Sequence, residues 1–324
     1  MGKIIRFERV TKRFKDGTEA LKNITVDIPK NKLTVIIGPS GSGKTTLMRM
    51  INRLENPTEG EVFIDDKPVS KMNVVELRRS IGYVIQQIGL IPHMTIEENI
   101  ALVPNLLGWD KKKTKQRVQE LLEMVNLPPE TYMHKYPVEL SGGQQQRVGV
   151  IRALAGDPDI ILMDEPFSAL DPISREQLQH ELKLLQQKIH KTIVFVTHDM
   201  DEALDIADYI IIMRDGKIEQ MAMPEELIKR QKNAFVREFI GEKRLENMWP
   251  VAERPIREFK HVFKRNPIEP YTSVLDTASI KEAVRLLEKE DKHALEVKRK
   301  DEKVIGYVHA ADLLKAITGV KGFE

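Results

Sequence analysis

Gly38-Pro39-Ser40-Gly41-Ser42-Gly43-Lys44-Thr45 follows a short β-branched run at residues 34–37 and leads into helical sequence. This order of strand, glycine loop and helix decides the fold, because the pattern G-x-x-x-x-G-K-[ST] has mechanical meaning only in that context. The glycines let successive backbone N–H groups turn toward one anion, and the helix N-terminus adds a favourable dipole. Lys44 can then reach the β- and γ-phosphates of a nucleotide and the Thr45 hydroxyl can ligate Mg2+, with Thr46 beside them. The bland reading, a flexible turn, fits the placement between strand and helix poorly.

Working outward, apolar strand-sized runs at residues 160–163, 193–196 and 209–213 alternate with helical stretches at 175–188 and 200–207. That rhythm predicts an α/β core with a parallel sheet covered by helices. Residues 4–28 read as two strands joined by a turn at Lys15-Asp16-Gly17, an antiparallel β subdomain ahead of the loop. Between about 92 and 155 strand signal gives way to helical periodicity, as at 112–125 and 144–154, which predicts a helical insertion. Residues 244–270 hold Pro250, Pro255, Pro267 and Pro270 and read as a linker or an irregular domain entry. Residues 271–324 then read as a small α/β unit, with helices at 279–290 and 311–317 around strands at 294–297 and 304–308.

The run ending in Asp164-Glu165 closes a buried strand with two carboxylates. The first suits Mg2+ held through water and the second suits orienting or deprotonating an attacking water. Adjacent strand residues point apart, so two separate roles are natural. A solvated loop start is the competing reading of such a pair.

Composition narrows the class. The 324 residues carry 51 Lys+Arg against 49 Asp+Glu, a net charge of +2, so no dominant field marks a nucleic-acid binder. There is no cysteine, which removes disulfides and thiolate metal sites and fits a reducing compartment. The amino-terminal stretch lacks a signal-peptide pattern, and the apolar runs fall far short of the about 20 residues a membrane span needs. Any membrane role is expected to come through partners, from the cytoplasmic face.

Leu140-Ser141-Gly142-Gly143-Gln144 separates this chain from other phosphate-loop ATPases. With it, residues 1–243 resemble the ABC ATPase family: a P-loop NTPase domain with antiparallel β subdomain and helical insertion. The resemblance implies that Ser141 and Gly143, within the turn completed by Gly142 and Gln144, contact the γ-phosphate of ATP held by the other copy of a homodimer. Read alone, Ser141 is an ordinary helix N-cap. By the same resemblance Gln86 senses Mg2+ and the attacking water, and His198 hydrogen-bonds the γ-phosphate. Asp171, in Ser168-Ala169-Leu170-Asp171, communicates across the dimer. Phe14 stacks on adenine, with a core or edge-strand aromatic as the alternative.

The segments Gln86-Gln87-Ile88-Gly89-Leu90-Ile91-Pro92-His93-Met94-Thr95-Ile96, Leu106-Leu107-Gly108-Trp109 and Phe235-Val236-Arg237-Glu238-Phe239-Ile240-Gly241 look like osmoprotectant importer ATPases handling glycine betaine, carnitine, choline or proline betaine. Trp109 by itself reads as helical packing. The implied partners are integral-membrane permease subunits and, indirectly, an extracytoplasmic substrate-binding protein. An amino-acid or methionine importer ATPase, or a soluble non-transport ABC ATPase, are the other readings. The tail from about residue 271 resembles a single CBS motif closing on Gly306-Tyr307-Val308-His309-Ala310-Ala311-Asp312-Leu313-Leu314. It implies either dimerisation or sensing of an adenine nucleotide or cyclic dinucleotide; His309 replaces the Ser or Thr common in ligand-binding motifs.

Overall fold

The computed structural model describes residues 3–85, 89–168, 170–242, 244–245 and 254–313. The chain divides into two compact units, Met1–Ile240 and Gly241–Glu324, each with its own hydrophobic core.

In the first unit, strands β1 (Lys3–Arg13) and β2 (Glu19–Pro29) pair antiparallel. Their turn closes where the Gly17 N–H donates to the Phe14 carbonyl at 3.0 Å and the Asp16 carboxylate accepts the Thr18 N–H at 2.9 Å. Gly17 sits at φ 87°, a left-handed value that glycine adopts without a Cβ penalty. Strand β3 (Leu33–Ile37) leads into the glycine loop and helix α1 (Lys44–Ile51). Strands β4 (Glu59–Ile64) and β5 (Lys67–Pro68) complete a four-stranded sheet in the order β2-β1-β4-β5.

After helix α2 (Val74–Arg79), strand β6 (Ile81–Val84) belongs to a second sheet, with β7 (Ile160–Asp164), β8 (Thr192–Val196), β9 (Tyr209–Arg214) and β10 (Lys217–Ala222). Its order is β10-β9-β3-β8-β7-β6. The strands from β9 to β6 run parallel and β10 joins β9 antiparallel. Strands β3, β7 and β8 are buried at every position, the mark of a parallel sheet covered on both faces.

Helix α1 lies in a core built from residues of both sheets. Its Leu47, Met48, Met50 and Ile51 are at most 1% exposed and share a cluster with Phe7 of β1, Val62 of β4 and Val194 of β8. At roughly 1.5–3 kcal/mol for each such buried side chain, this packing anchors the helix, and with it the loop at its start. Gly43 makes the junction possible: it is left-handed at φ 98°, and a Cβ there would stand 2.5 Å from the Ala20 carbonyl oxygen.

The expected helical insertion is present as α3 (Ile96–Leu106), α4 (Lys111–Met124), the short α5 (Pro129–Tyr132) and α6 (Gly142–Leu154). Thr95 and Glu98 form a capping box at the start of α3. The fully buried Asn99 donates to the carbonyls of Ile91, Met94 and Thr95 and accepts the Ile91 N–H at 2.7 Å, so one amide holds the preceding loop to the helix. Trp109 lies between helices and packs against one. α3 ends before Gly108, which is left-handed at φ 75°, and the indole lies under Lys113, whose Nζ is 3.8 Å from the ring centroid. Helices α7 (Pro172–Ile189), α8 (Met200–Ile206), α9 (Pro224–Lys229) and α10 (Ala234–Ile240) complete the unit.

In the second unit, β11 (Tyr271–Leu275) runs parallel to β12 (Ala294–Lys298), which pairs antiparallel with β13 (Val304–His309). The helix Ile280–Glu290 begins with a Ser279–Glu282 capping box and lays Ile280, Ala283 and Leu287 on the sheet residues Leu295, Val297 and Val308. The proline-rich segment read as a linker or an irregular domain entry contributes to this core: Ile256 is 0% and Phe259 6% exposed. Its prolines prevent a long helix, yet the short 3-10 stretch Ile256–Val262 still presents these two apolar side chains. The helix expected at 311–317 lies partly outside the described residues, which end at Leu313.

Candidate active site

The elements that carry Lys44, Thr45, Asp164, Glu165 and His198 meet at one edge of the parallel sheet. The loop after β3 and the start of α1 supply Lys44 and Thr45; β7 ends in Asp164; the turn after β8 carries His198. In open α/β sheets the carboxyl ends of the strands form the ligand crevice, because the flanking helices begin there with unpaired N–H groups. A cavity of about 390 Å³ lies at this edge, walled by Ser40, Gly41, Gly43, Lys44, Thr45 and Thr46 together with Ala20 and Glu165.

The loop suits a phosphate chain. α1 starts at Gly43 without a side-chain cap and with no acidic residue in its first turn, so neither neutralises the positive end of its dipole. A Cβ on Gly41 would meet nothing within 4 Å, which leaves that backbone open to the cavity. Gly38 and Ser42 shape the loop from beneath: a Cβ on Gly38 would meet the Met213 carbonyl oxygen at 2.2 Å, and the Ser42 N–H donates to the Pro39 carbonyl at 3.2 Å. The Lys44 ammonium is 7% exposed as a residue and donates to the carbonyls of Gly38 at 2.8 Å and Pro39 at 3.0 Å. Burial lowers its pKa, and the nearby Glu165 and Asp164 carboxylates oppose that effect.

The Thr45 hydroxyl donates to Asp164 Oδ1 at 3.0 Å. A hydroxyl and a carboxylate meeting beside a phosphate loop suit Mg2+, which binds through one or two such oxygens while keeping waters and substrate phosphates as its other ligands. Asp164 is 4% exposed, and its burial pushes the carboxyl pKa up against the hydrogen bond from Thr45 and the charge of Arg49. With its folded pKa above the ordinary aspartate range, the ionised group costs stability as pH rises through its titration range, and below that range the cost vanishes. Asp164→Asn should therefore raise the melting temperature of the nucleotide-free protein at neutral pH and lose that advantage toward pH 3, as read by thermal melts across pH; equal shifts at both ends would rule the explanation out.

Glu165 and His198 are brought together, with Oε2 and Nδ1 3.4 Å apart. The separation of Asp164 from Glu165 has another cause than the strand alternation expected for adjacent residues. β7 stops at Asp164, and Glu165 is left-handed at φ 44° while its N–H still bonds the Val196 carbonyl at 2.9 Å. The turn, not the pleat, aims the second carboxylate into the cavity.

Ser141 caps α6, accepting the Gln144 N–H at 3.3 Å while the Gln144 side chain accepts the Ser141 N–H at 3.0 Å. The ordinary N-cap role is thus present. Ser141 and Gly142 are exposed and Gly143 and Gln144 half-buried, and none of the four lines the loop cavity of its own chain. Asp171 is exposed at the start of α7, where its carbonyl accepts the Arg175 N–H at 3.0 Å. Phe14 is 37% exposed beside Lys12, whose Nζ is 5.1 Å from its ring centroid, so the core reading of this aromatic is excluded. Gln86 lies outside the described residues.

Sequence reading missed Arg49 and Tyr83. Arg49 Nη2 is 3.6 Å from Asp164 Oδ2, and its hydrogen bond with Tyr83 is the chief reason its pKa is raised. No linear signal marks an arginine five residues past the loop lysine; only the reach of its side chain to Asp164 of β7 and Tyr83 of β6 reveals it.

An ABC transporter family model matches residues 21–168 and a CBS domain model residues 260–319. The chain is 49% identical over 305 residues to the glycine betaine/carnitine/choline transport ATP-binding protein of Bacillus subtilis strain 168, covering 94% of this chain and 78% of that protein. The chain belongs to the ABC transporter ATP-binding proteins. Among its relatives in this family is a Listeria monocytogenes carnitine transport ATP-binding protein, 53% identical over 265 residues; the match covers 82% of this chain and 66%, just under two thirds, of that protein. The glycine betaine uptake system ATP-binding protein of Escherichia coli K12 is 37% identical, with 96% of this chain and 99% of that protein covered. Among solved ABC structures, a dimeric ATP-binding cassette in a post-hydrolysis state with ADP and Pi matches at TM-score 0.61 and 39% identity, over 68% of this chain and 99% of that one. A component of a Clostridium perfringens ABC transporter complex matches at TM-score 0.66 and 27% identity, over 72% and 93%. No helix among the described residues is long and apolar enough to cross a membrane.

Proposed function

We propose that this chain hydrolyses ATP as a homodimer and so drives import of a quaternary amine such as glycine betaine, carnitine or choline. It would act at the cytoplasmic face of the membrane through permease subunits, which receive the solute from an extracytoplasmic binding protein. The solute class is supported by the relatives' names.

The observation that carries the reading is the division of labour between two surfaces. Lys44, Thr45 and Glu165 line one cavity, with Asp164 bonded to Thr45 and His198 beside Glu165, whereas the turn at Ser141 stands outside that lining. An ATP in the cavity would thus be completed by the Ser141–Gln144 turn of a second copy, whose α6 N-terminus adds a positive dipole at the γ-phosphate. ATP binding would close the dimer because only the closed state offers both sets of contacts. The chain's own groups then divide the work. The loop N–H groups and Lys44 hold the phosphates, Phe14 stacks on adenine, and Thr45, Asp164 and Gln86 hold Mg2+, which neutralises developing charge. Glu165 takes the proton of the attacking water and His198 steadies the γ-phosphate.

Subunit mixing tests the shared site. Chains carrying Lys44→Ala and chains carrying Ser141→Arg should each be inactive alone, while their mixture should regain ATPase activity, since each mixed dimer keeps one site with both intact surfaces. A mixture as dead as its parents would refute the shared site.

In the second unit, Asp312 is bound to Lys264 at 3.0 Å, and His309 Nδ1 accepts the Ala311 N–H at 3.2 Å. Both side chains at the closing segment thus have partners within their own unit.

A further inference from the structure

Glu202 is 6% exposed and takes no part in the chemistry above. Its Oε2 accepts the hydroxyl of Thr197, the residue before His198. Its Oε1 accepts the side-chain amide of Gln179, on α7, at 3.0 Å. The Thr197 oxygen also accepts the N–H of Asp199, the residue after His198, at 3.0 Å. Asp199 caps α8 by accepting the N–H groups of Asp201 at 2.9 Å and Glu202 at 3.3 Å. Both neighbours of the histidine are therefore pinned to Glu202 and its helix, and Glu202 is pinned to α7.

A second link lies one turn earlier on α7. Arg175 donates Nη2 to the Leu170 carbonyl at 3.2 Å and brings Nη1 to 3.9 Å from the Asp199 carboxylate. Leu170 belongs to the loop that ends in Asp171, so the same helix grips that loop at one end and the histidine turn along its side.

A buried carboxylate is an expensive way to fill a core position, because desolvation penalises its charge unless hydrogen bonds replace the lost water. A leucine there would be cheaper but could accept nothing from Thr197 or Gln179. What the carboxylate supplies is geometry. We propose that Glu202 is a positioning residue for His198, tying the histidine turn through Thr197 and Gln179 to α7 and hence to the Asp171 loop. The position of that loop and the aim of the histidine are in this way one mechanical variable. The inference rests on the proposed hydrolysis of ATP with His198 at the γ-phosphate.

The test uses the full chain, comparing steady-state ATP hydrolysis of wild type, His198→Ala, Glu202→Ala, Glu202→Gln and Thr197→Val, with thermal melts confirming that each is folded at the assay temperature. Misaiming a catalytic group by a fraction of an ångström lowers turnover more than ground-state binding, so Glu202→Ala and Thr197→Val should cut kcat about tenfold or more with KM for ATP within about threefold. Glu202→Gln should retain most of the activity: its carbonyl can accept from Thr197, and a rotated Gln179 amide can accept from its NH2. The tether is overturned if folded Glu202→Ala turns over like wild type while His198→Ala does not, or if Glu202→Gln loses as much as Glu202→Ala. A wild-type chain that hydrolyses no ATP, or a fully active His198→Ala, would instead strike the proposed function and bring the tether down with it.

Discussion

Glu165→Gln is expected to lower ATP turnover by about 10²–10⁴-fold, the usual worth of a positioned general base, while ATP binding stays close to that of the wild type. Two features make the effect specific to the proton. Glutamine has the same shape and can adopt the left-handed backbone of residue 165, at φ 44°, with a strain similar to that of glutamate. An amide can also keep a contact with His198, now 3.4 Å from the carboxylate, but it cannot take a proton from water. In the proposed site the glycine loop and Lys44 make the phosphate contacts, so affinity should survive. Because hydrolysis then no longer removes the shared γ-phosphate, the variant should accumulate as an ATP-bound dimer, visible as a doubling of mass by light scattering when ATP is added. Turnover equal to wild type would remove Glu165 as the base; lost binding with a normal fold would mean that the carboxylate holds the nucleotide rather than the water.

Lys44→Ala should fail earlier, at binding. The ammonium is nearly buried and is presented to the cavity by the Gly38 and Pro39 carbonyls. A hydrogen bond to a charged group in such a site is worth about 1.5–3 kcal/mol, so ATP affinity should fall on the order of 10–10²-fold, with hydrolysis lost as well. Lys44→Arg should not restore it: the guanidinium is larger and planar, and the pocket under the loop is shaped for a single compact cation. Equilibrium binding of a fluorescent ATP analogue measures the first effect and phosphate release the second. Unchanged affinity in Lys44→Ala would show that the backbone N–H groups alone grip the phosphates. Salt should weaken the wild-type interaction only modestly, since a pair so little exposed is poorly screened.

The parts of this protein that were legible in its sequence are those whose physics is local. A phosphate loop works through consecutive backbone groups, so its chemistry is written in consecutive letters from Gly38 to Thr45, and the order of β3, loop and α1 followed from it. The parallel sheet was legible because fully buried strands read as unbroken apolar runs, and the cap at Ser141 because a side chain and the N–H three residues on settle it. The contacts of the proline-rich segment and of Trp109 were not legible for a related reason: prolines and a loop tryptophan say how the backbone bends, but not which core or cation the side chains find.

Sequence alone thus determined the kind of ligand, the glycine loop, the acidic pair and the α/β fold that carries them. Only the tertiary structure decided that Glu165 reaches His198, that a left-handed turn separates it from Asp164, that Arg49 stands beside the buried aspartate, and that Glu202 ties Thr197 to Gln179. Those contacts join residues far apart in the chain and cross from one element to another. Their distances are set by how strands register and helices pack in a core, which no short stretch of residues encodes.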